Sequence, residues 1–490
     1  MRRGACALLV ALLVAPLAGC AGRYFQEAAA PSAPSQHRLA DWPFREYWTG
    51  IVFNGEKVGY AHVQVGRAPG DPARYEIRSE SALRIRFLGY DKRVTLQARD
   101  RVREDFALES FDYRYHLDGV ELAVAGHWDG AALRLTVTNA GSTSTQTLPA
   151  PAPPYPSSAI AMIPALRGLR LGAEYRYPVF SGETQRLVEV VQRVEAYERS
   201  TLFEGEAWKV TTEMLALRTT TWIDARARPV LELGLNGVIV AGLEDEHRAK
   251  HYLAQGALNK RDALLEFSLI RTSTPIPDPR RTTYVKLAVQ GPAVSSLPPA
   301  DPAQRCRATS GGAECELAAV PVPETARDDG RTHLAASLAV PSGDPRIQEL
   351  AVAVAAGAAS PVAQAQAILD WLERNIRKEA ADSFSALDVL ATRRAECQGH
   401  ALLYAAMARA LGIPTRVVNG LVYSAELQGF AYHAWNESLI AGGWIAVDPM
   451  FGQAIADATH LKLAYGENLA DLTALAAWIG TTKIEVLAVR

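Results

Sequence analysis

Cysteine is scarce in this sequence, and a strong excess of one charge is absent. The chain has five cysteines in 490 residues, so each of them calls for an explanation. Its 51 basic and 53 acidic side chains give a formal charge of -2. A chain so balanced in charge is not expected to bind nucleic acid electrostatically, and no nucleic-acid partner is predicted.

Several motifs that bind cofactors are also missing. The sequence contains no P-loop, no Gly-x-Gly-x-x-Gly after a predicted strand, no Cys-x-x-Cys pair and no His-Glu-x-x-His. We therefore predict no cofactor. The length, with 49% hydrophobic and 21% charged residues, indicates a folded globular protein of two or three domains.

The N-terminal segment predicts export. An apolar run over residues 5–17 follows two arginines and is too short to span a bilayer as a helix, which predicts a signal peptide over residues 1–19. The Leu-Ala-Gly-Cys that ends at Cys20 resembles a bacterial lipobox and implies a lipid on that cysteine. A plain leader with an incidental cysteine is the alternative. Residues 20–44, rich in Ala, Pro, Ser and Gln, predict a flexible tether.

The lipobox resemblance implies a protein of the bacterial cell envelope that is anchored to a membrane by its N-terminal lipid. Residue Ala21 is not the aspartate that retains many lipoproteins of Gram-negative bacteria in the inner membrane. We therefore expect the periplasmic face of the outer membrane rather than the inner membrane.

The cysteines beyond the leader divide into a pair and a single residue. Cys306 and Cys315 lie nine positions apart around a Ser-Gly-Gly turn, and an oxidising periplasm favours a disulfide between them. Cys397 is left over. An unpaired thiol in an exported protein is a reactive group, an intermolecular partner or a buried inert residue.

Most of the chain before residue 344 has the pattern of β-strands. Apolar and polar residues alternate along many short segments, which is typical of antiparallel strands with one wet face. The pair Asn54-Gly55 between two β-prone runs predicts a tight hairpin. We predict an antiparallel β domain over residues 45–275 and a smaller β region over residues 276–343 that carries the cysteine pair.

From residue 344 the pattern becomes helical. Asp344 and Ser360 each precede a proline and an apolar run, as helix N-cap residues do. Ser385 and Asp388 have the spacing of a capping box. Strand-like segments follow these helices, so residues 344–490 are predicted to form a separate unit, and the fold class is α+β.

Cys397 stands where a polar segment becomes a strongly apolar run with helical periodicity. The run ends at Gly412 and Pro414, so the spacing predicts a helix that begins at or near the cysteine. A thiol at the positive end of a helix dipole is expected to ionise more readily, as a nucleophile requires. The backbone N–H of Cys397 at the helix start could donate to an oxyanion.

A base is predicted on the strands that follow. Two predicted strands, residues 430–439 and 444–447, are joined by an Ala-Gly-Gly turn. With a four-residue loop, Asp448 lies opposite Trp435 and diagonal to His433 on one face. A two-residue turn also keeps the histidine and the aspartate on one face, whereas a three-residue loop separates them. The sequence thus permits a histidine–aspartate pair that accepts the thiol proton.

Three motifs in this order resemble those of the transglutaminase-like superfamily. They are ECQGHALLYAAMARALGIPTR, HAWNE and GWIAVDP, within residues 340–455. The resemblance implies a papain-like domain in which Cys397 is the nucleophile, His433 the base and acid, and Asp448 the orienting carboxylate. One departure is Ala395, where many members have glycine. No acidic loop resembles the calcium sites of the animal enzymes.

Several side chains near these motifs have more than one interpretation. Gln398 is a candidate oxyanion donor or a solvent-facing helix residue, and His400 is a candidate neighbour that supports the site. Trp435 is predicted to shield His433 from water or simply to pack the sheet. The motif cysteine, His400 and His433 are an alternative set of metal ligands, but nothing completes four ligands, and we predict no metal. His460 is expected at the surface.

Together these features predict a lipid-anchored cysteine enzyme that attacks amide or peptide carbonyls through a thioester. The resemblance implies a protease or amidase, with hydrolysis favoured over transfer to an amine, and periplasmic proteins or peptides as substrates. The alternative function is a catalytically silent envelope scaffold or binding protein that uses the β domain.

Overall fold

The structure, a computed structural model, describes most of the 490-residue chain. The described residues are 24–87, 90–215, 217–251, 266, 268–291, 297, 300–320, 326, 330–467, 475, 478, 480 and 482–490. The predicted signal peptide and the predicted lipidation residue Cys20 lie outside them. None of the described helices has both the length and the apolar character needed to cross a membrane.

One large sheet dominates the first half of the chain. Its strands are β1 Phe25–Glu27, β2 Glu46–Phe53, β3 Glu56–Ala68, β4 Asp71–Phe87, β5 Tyr90–Val102, β6 Leu108–Leu117, β7 Val120–Trp128, β8 Ala132–Asn139, β9 Ser142–Pro149, β10 Tyr155–Pro156, β11 Glu174–Ser181, β12 Arg186–Ser200, β13 Glu206–Met214, β14 Leu217–Asp224, β15 Pro229–Gly234 and β16 Ile239–Glu244. In space, β10 to β16 are followed by β2 to β9, and β1 pairs with β12. Only the short β10–β11 pairing is parallel among the described pairings of this sheet. Among the described residues, the short helix α1 Ile163–Arg167 lies between β10 and β11, and the short helix α2 Glu246–Lys250 follows β16.

The alternation in the sequence becomes burial of one sheet face. On β8, Leu133, Leu135 and Val137 are at most 2% exposed, whereas Arg134 and Thr136 between them are exposed. Each apolar side chain of this size contributes about 1.5–3 kcal/mol when buried. The predicted antiparallel β region is therefore observed, and its core comes from one face of the sheet.

The predicted hairpin at Asn54-Gly55 joins β2 and β3. Asn54 has φ 47° and Gly55 has φ 82°. A two-residue turn with both central residues in the left-handed region matches the twist of antiparallel strands. The turn fixes Phe53 opposite Glu56 and sets the register of the hairpin.

Residues 24–44 differ from the predicted flexible tether. In β1, Phe25 lies opposite Ser200 on β12, and its ring stacks on Trp222 at a centroid distance of 4.4 Å. Leu39 and Phe44 join the core of the large sheet. The composition suggested a tether because Pro, Ala and Ser dominate it, but a few apolar side chains anchor the segment to the sheet.

The remaining strands form smaller sheets. They are β17 Ile270–Arg271, β18 Tyr284–Gln290, β19 Gln304–Thr309, β20 Gly312–Ala318, β21 Arg377–Lys378, β22 Arg394–Ala395, β23 Thr415–Ser424, β24 Gly429–Ile440, β25 Gly443–Val447, β26 His460–Tyr465 and β27 Lys483–Val489. One sheet has the order β19-β20-β18-β27, and another has β17-β24-β23-β26 with β25 beside β24. Cys306 and Cys315 lie opposite each other on β19 and β20 and are joined by a disulfide. β27 pairs with β18 across the predicted boundary at residue 344, so the small β region and the C-terminal unit share a sheet. β17, from the end of the predicted β domain, pairs with β24 of the C-terminal unit.

Four longer helices belong to the described part of the C-terminal unit. They are α3 Pro345–Val354, α4 Pro361–Asn375, α5 Ala386–Thr392 and α6 Cys397–Ala410. The side chains of Asp344 and Ser360 accept backbone N–H groups at the starts of α3 and α4. Ser385 and Asp388 form the predicted capping box. These caps begin the helices where the sequence predicted.

Helix α6 lies at the centre of this unit. It packs on α3, α4 and α5 on one side and on β23 and β24 on the other. Residues 399–409 are all buried, so the helix has no wet face along most of its length. Gly412, with φ 79°, ends the helix and turns the chain into β23. The helix start therefore lies against β24.

Buried hydrogen bonds join the large sheet to the helices. The amide nitrogen of Asn139, at the end of β8, donates to Asp388 Oδ1 at 3.0 Å, and the hydroxyl of Ser385 donates to the Asn139 side-chain oxygen. Lys92 on β5 forms an ion pair with Asp382. Because buried polar groups stay paired, these contacts fix how the sheet faces the start of α6.

Candidate active site

Cys397 is the first residue of α6, as the sequence predicted. The preceding residue, Glu396, is the N-cap, and its two carboxylate oxygens have different partners. Oε1 accepts the backbone N–H of Gly399 at 3.2 Å, and Oε2 accepts the thiol of Cys397 at 3.0 Å. The carboxylate therefore both caps the helix and holds the sulfur.

The thiol lies at a gap in the edge of β24. On this edge β17 pairs with β24 at Phe430, and β25 pairs with it from Asn436 onward. Among the described strands, none covers the edge between those two positions. Burial and Glu396 raise the pKa of the Cys397 thiol, and the nearby backbone N–H of Ala434 acts in the opposite direction. The cysteine is thus placed beside the residue that follows His433.

The register of β24 and β25 brings the histidine and the aspartate together. Leu439 lies opposite Trp444, as the four-residue loop would require, although the turn has only two residues, Ala441 and Gly442. His433 Nε2 lies 2.7 Å from Asp448 Oδ2 just beyond the end of β25. Both side chains are buried. The ring nitrogen Nδ1 is left for another partner.

Asp448 is fully paired. Its Oδ1 accepts the backbone N–H groups of Met450 and Phe451 at 2.8 and 3.0 Å, and its Oδ2 is shared by His433 and His460. Burial alone would raise the pKa of this carboxyl, but the two imidazoles and their hydrogen bonds outweigh burial and lower the pKa. The carboxylate is therefore ionised and fixed in orientation.

His460 belongs to the site, and the prediction of a surface position is wrong. Its Nε2 lies 2.9 Å from Asp448 Oδ2, and its Nδ1 lies 2.9 Å from the backbone oxygen of Asp457. Burial opposes protonation, but Asp448 and Asp457 together raise the pKa of His460 to about 9. Arg280 pairs with Asp457 at 2.9 Å. Positive and negative groups thus alternate from Arg280 through Asp457 and His460 to Asp448, which contacts the candidate base, His433.

Aromatic rings cover the imidazole. The ring of Phe451 stacks on His433 at a centroid distance of 4.8 Å, and 39% of Phe451 is exposed. The ring centroid of Trp435 lies 6.2 Å from that of His433 and 5.0 Å from that of His460. Phe451 is therefore the outer cover, while the predicted shield, Trp435, packs deeper with 2% exposure.

The expectation of an easily ionised thiol is wrong for this structure. Burial and the negative charge of Glu396 raise the pKa of Cys397 well above its usual value. No hydrogen bond links its sulfur to His433 among the residues that the structure describes, because the thiol donates to Glu396 instead. The helix dipole places only a partial positive charge at the N-terminus of α6. The full negative charge of Glu396, at hydrogen-bond distance from the sulfur, outweighs it.

Among the described residues, the group that could hold a metal differs from the set weighed in the sequence. Ligand atoms of His433, Asp448 and His460 all lie within 4.8 Å of one another. The hydrogen bonds of 2.7 and 2.9 Å already account for this proximity. Within the described part of the chain, neither Cys397 nor His400 belongs to that group.

Comparison with known families agrees with this geometry. A model of the transglutaminase-like superfamily matches residues 348–449. This segment is a transglutaminase-like domain. The match includes α6, β24 and Asp448, and it ends before His460, Asp457 and the chain's last strand.

Two relatives of this chain carry the name of a peptidase. The chain is 30% identical to the kyphoscoliosis peptidase of Mus musculus over 152 residues, and the match covers 27% of this chain and 22% of that protein. The Homo sapiens protein of that name is 29% identical over 121 residues, 21% of this chain and 18% of that protein. The chain thus spans about a fifth of these relatives. The solved structure of a proposed cysteine protease from Cytophaga hutchinsonii has a TM-score of 0.29 and 18% identity, and covers 46% of this chain and 86% of that one.

The other predicted positions in the transglutaminase-like domain lie around the cysteine. Gln398 lines a cavity next to the helix start. His400 is fully buried with Nδ1 2.9 Å from the Glu396 backbone oxygen, so it supports the first turn. Ala395, which replaces the common glycine, is buried. A Cβ atom added to Gly399 would lie 2.7 Å from the Cβ of Ala395, so only glycine fits at position 399 without a shift of its neighbours.

Sequence reasoning missed two charged residues of the candidate site. Glu396 carried a signal, because an acidic side chain directly before a helix start is placed to cap it. His460 carried a weaker one. It opens the run His-Leu-Lys-Leu, in which polar and apolar residues alternate, but alternation does not reveal which residue of a distant strand lies beside it.

Proposed function

We propose that the protein is a cysteine enzyme that cleaves amide or peptide bonds through a thioester on Cys397. The single observation that carries this proposal is the buried His433–Asp448 pair next to the first residue of α6. The match to the transglutaminase-like superfamily supports it, and the names of the mouse and human relatives favour peptide substrates.

The residues divide the chemistry as follows. Asp448 engages His433 Nε2, so the Nδ1 nitrogen takes the proton from the thiol of Cys397. The sulfur attacks the carbonyl carbon, and the backbone N–H of Cys397, in the first helical turn, stabilises the oxyanion. His433 then protonates the departing amine, leaving a thioester. Water, deprotonated by the same imidazole, releases the acid and restores the thiol.

We place this enzyme in the bacterial cell envelope, anchored through Cys20 and facing the periplasm, most readily at the outer membrane. Periplasmic proteins or peptides are then its substrates, and water is the favoured acceptor. A Cys20→Ser variant is expected to move from the membrane fraction to the soluble fraction. Unchanged fractionation would contradict the anchor without touching the chemistry.

An acyl-donor assay tests the chemistry. The full chain is incubated with p-nitrophenyl acetate, and acetylation is read by mass spectrometry on the tryptic peptide of residues 395–409. Wild type is expected to acetylate at Cys397 and to turn over, and the reaction should vanish in Cys397→Ala. His433→Ala should slow acetylation by about 10²-fold or more. His116→Ala, a half-exposed histidine of the large sheet, is the matched control and should change nothing.

The same variants separate hydrolysis from transfer. Dimethylated casein, which offers carboxamides and peptide bonds but no free lysine amine, is incubated with and without a primary amine. Peptide cleavage or ammonia release without the amine supports hydrolysis, and incorporation of the amine supports transfer. If Cys397 forms no acyl-enzyme and no casein product appears, the proposed function is wrong.

A further inference from the structure

A large cavity lies between the large sheet and the transglutaminase-like domain. Its volume is about 1020 Å³, at the upper end of the size of ligand pockets. One wall comes from β8, β9 and the chain after β11, and the other from the starts of α3, α5 and α6. Glu396 and Gln398, which flank Cys397 in sequence, both line it.

The charged groups of this cavity are mostly acidic. Five carboxylates line it, with Arg186 as the one basic side chain among the described lining residues. Three of the five have a cationic partner: Asp344 with Arg346, Asp382 with Lys92, and Glu467 with Arg409. The other two carboxylates are Glu183 and Glu396.

Glu183 and Glu396 have no ion-pair partner among the residues that the structure describes. Within the described part of the chain, neither lies within ion-pair distance of a lysine, arginine or histidine. Glu183 accepts the hydroxyl of Ser181 at 3.0 Å. Glu396 accepts the Gly399 N–H and the Cys397 thiol. The cavity therefore carries unbalanced negative charge, and part of it touches the nucleophile.

We propose that this cavity is the substrate cleft and that Glu396 reads a positively charged group of the substrate, a primary ammonium of a peptide. At rest the carboxylate holds the thiol proton. When an ammonium group pairs with Glu396, the thiol loses its acceptor and turns to His433 Nδ1. Substrates that bring a cation into the cleft thus switch on the nucleophile that they need. This inference rests on the proposed function and adds a substrate class to it.

The physical basis is competition for one carboxylate oxygen. An ion pair between ammonium and carboxylate is a charge-assisted interaction, whereas a neutral thiol is a weak donor. The ammonium also cancels the charge that, after burial, does most to raise the pKa of Cys397. Helix capping survives the exchange, because Gly399 uses the other oxygen of the carboxylate.

Two thiol reagents of opposite charge test the proposal on the full chain. Aminoethyl methanethiosulfonate carries a primary ammonium, and its sulfonatoethyl counterpart carries an anion. In both reactions the cysteine sulfur forms a disulfide with the reagent, and methanesulfinate leaves. The rates are read on the tryptic peptide of residues 395–409, and each is divided by the rate of the same synthetic peptide free in solution.

The normalised ratio of cationic to anionic rates is expected to be about tenfold or more in wild type. Glu396→Gln keeps an oxygen that can cap the helix, so it should fold, and it should lower that ratio at least about threefold. Glu349→Gln removes an exposed acid on α3 that does not line the cavity and should leave the ratio unchanged. A wild-type ratio equal to that of the free peptide would overturn the proposal whether or not the variant folds.

An unchanged ratio in folded Glu396→Gln would also overturn it. The failure of the proposed function looks different. In that case Cys397 forms no acyl-enzyme with p-nitrophenyl acetate, and His433→Ala alters neither reagent's rate. A cysteine that forms the acyl-enzyme and depends on His433, but reacts equally with both reagents, would retain the enzyme and reject the role of Glu396.

Discussion

The exposed ion pairs of the large sheet and the buried charges of the transglutaminase-like domain are held in opposite ways. On the sheet, Glu174 pairs with Arg176 and Arg193, and 40% or more of each side chain is exposed. In the domain, Asp448 and Glu437 are at most 4% exposed. Exposed pairs cost little to form and contribute little, whereas a buried charge is costly unless its partners are in place. The difference indicates that the buried charges of the domain serve to fix the positions of neighbouring side chains rather than to stabilise the fold.

Within the domain the two ends of the candidate site also differ. At Asp448 both carboxylate oxygens are saturated by four hydrogen bonds, so His433 is fixed. At Cys397 the thiol is bonded to Glu396 and not to the imidazole. In the proposed mechanism, His433 is therefore already in place as the base, and the remaining step is a movement of the Cys397 thiol toward it.

The largest expected effect comes from Asp448→Asn. The amide would offer one acceptor where four donors now meet, and it would leave the charged His460 without one of its two partners. We expect the free energy of unfolding in urea to fall by about 3–5 kcal/mol. A loss below about 1 kcal/mol would mean that the buried charges of the domain are no more critical than those of the sheet.

His460→Gln should show a smaller effect that depends on pH. The folded-state pKa of His460 is raised from 6.5 to about 9, so its stabilising contribution is fully present below about pH 6.5 and is lost as the pH rises through about 9. The variant should therefore be less stable than wild type by at most about 3 kcal/mol at about pH 6, with the gap closing toward about pH 10.

Urea unfolding across this pH range measures the gap. The control is His116→Gln, since His116 is half-exposed on the sheet beside the equally exposed Glu121. Its difference from wild type should stay small at every pH. A constant gap for His460→Gln would show that the histidine acts through its shape and not through its charge.

Asn139→Ala should have a moderate effect on stability. The change removes the buried amide that joins β8 to Asp388 and Ser385 and leaves those two groups without that partner. We expect the free energy of unfolding to fall by about 1–3 kcal/mol. Unfolding is measured both by far-ultraviolet circular dichroism, which reports on the sheet, and by tryptophan fluorescence. Loss of one shared transition in the variant would show that this contact couples the sheet to the domain.

Much of the fold was predictable because local patterns carry it. Alternation marked the strands, Asn54-Gly55 marked a hairpin, and Ser385 with Asp388 marked the start of α5. The pairings of β17 with β24 and of β27 with β18 were not predictable, because they join residues far apart in sequence. No local propensity encodes which distant edge a strand will meet.

The candidate site divides in the same way. The register that brings His433 to Asp448 followed from strand parity, although the turn at Ala441 is shorter than expected. The position of His460 did not follow, because it depends on β26 packing beside β23. The thiol pKa was predicted with the wrong direction because a helix dipole is a local rule, whereas burial and the orientation of Glu396 are products of the whole fold.

The smallest expected effect is that of Glu174→Gln on the large sheet. Glu174 lies 2.8 Å from both Arg176 and Arg193, but all three side chains are 40% or more exposed, so water and salt screen the pairs. The free energy of unfolding should change by no more than about 1 kcal/mol, and less in 1 M salt than in dilute buffer. A loss as large as that of Asp448→Asn would mean that the sheet depends on its surface charges as the domain depends on its buried ones, and the contrast between the two regions would fail.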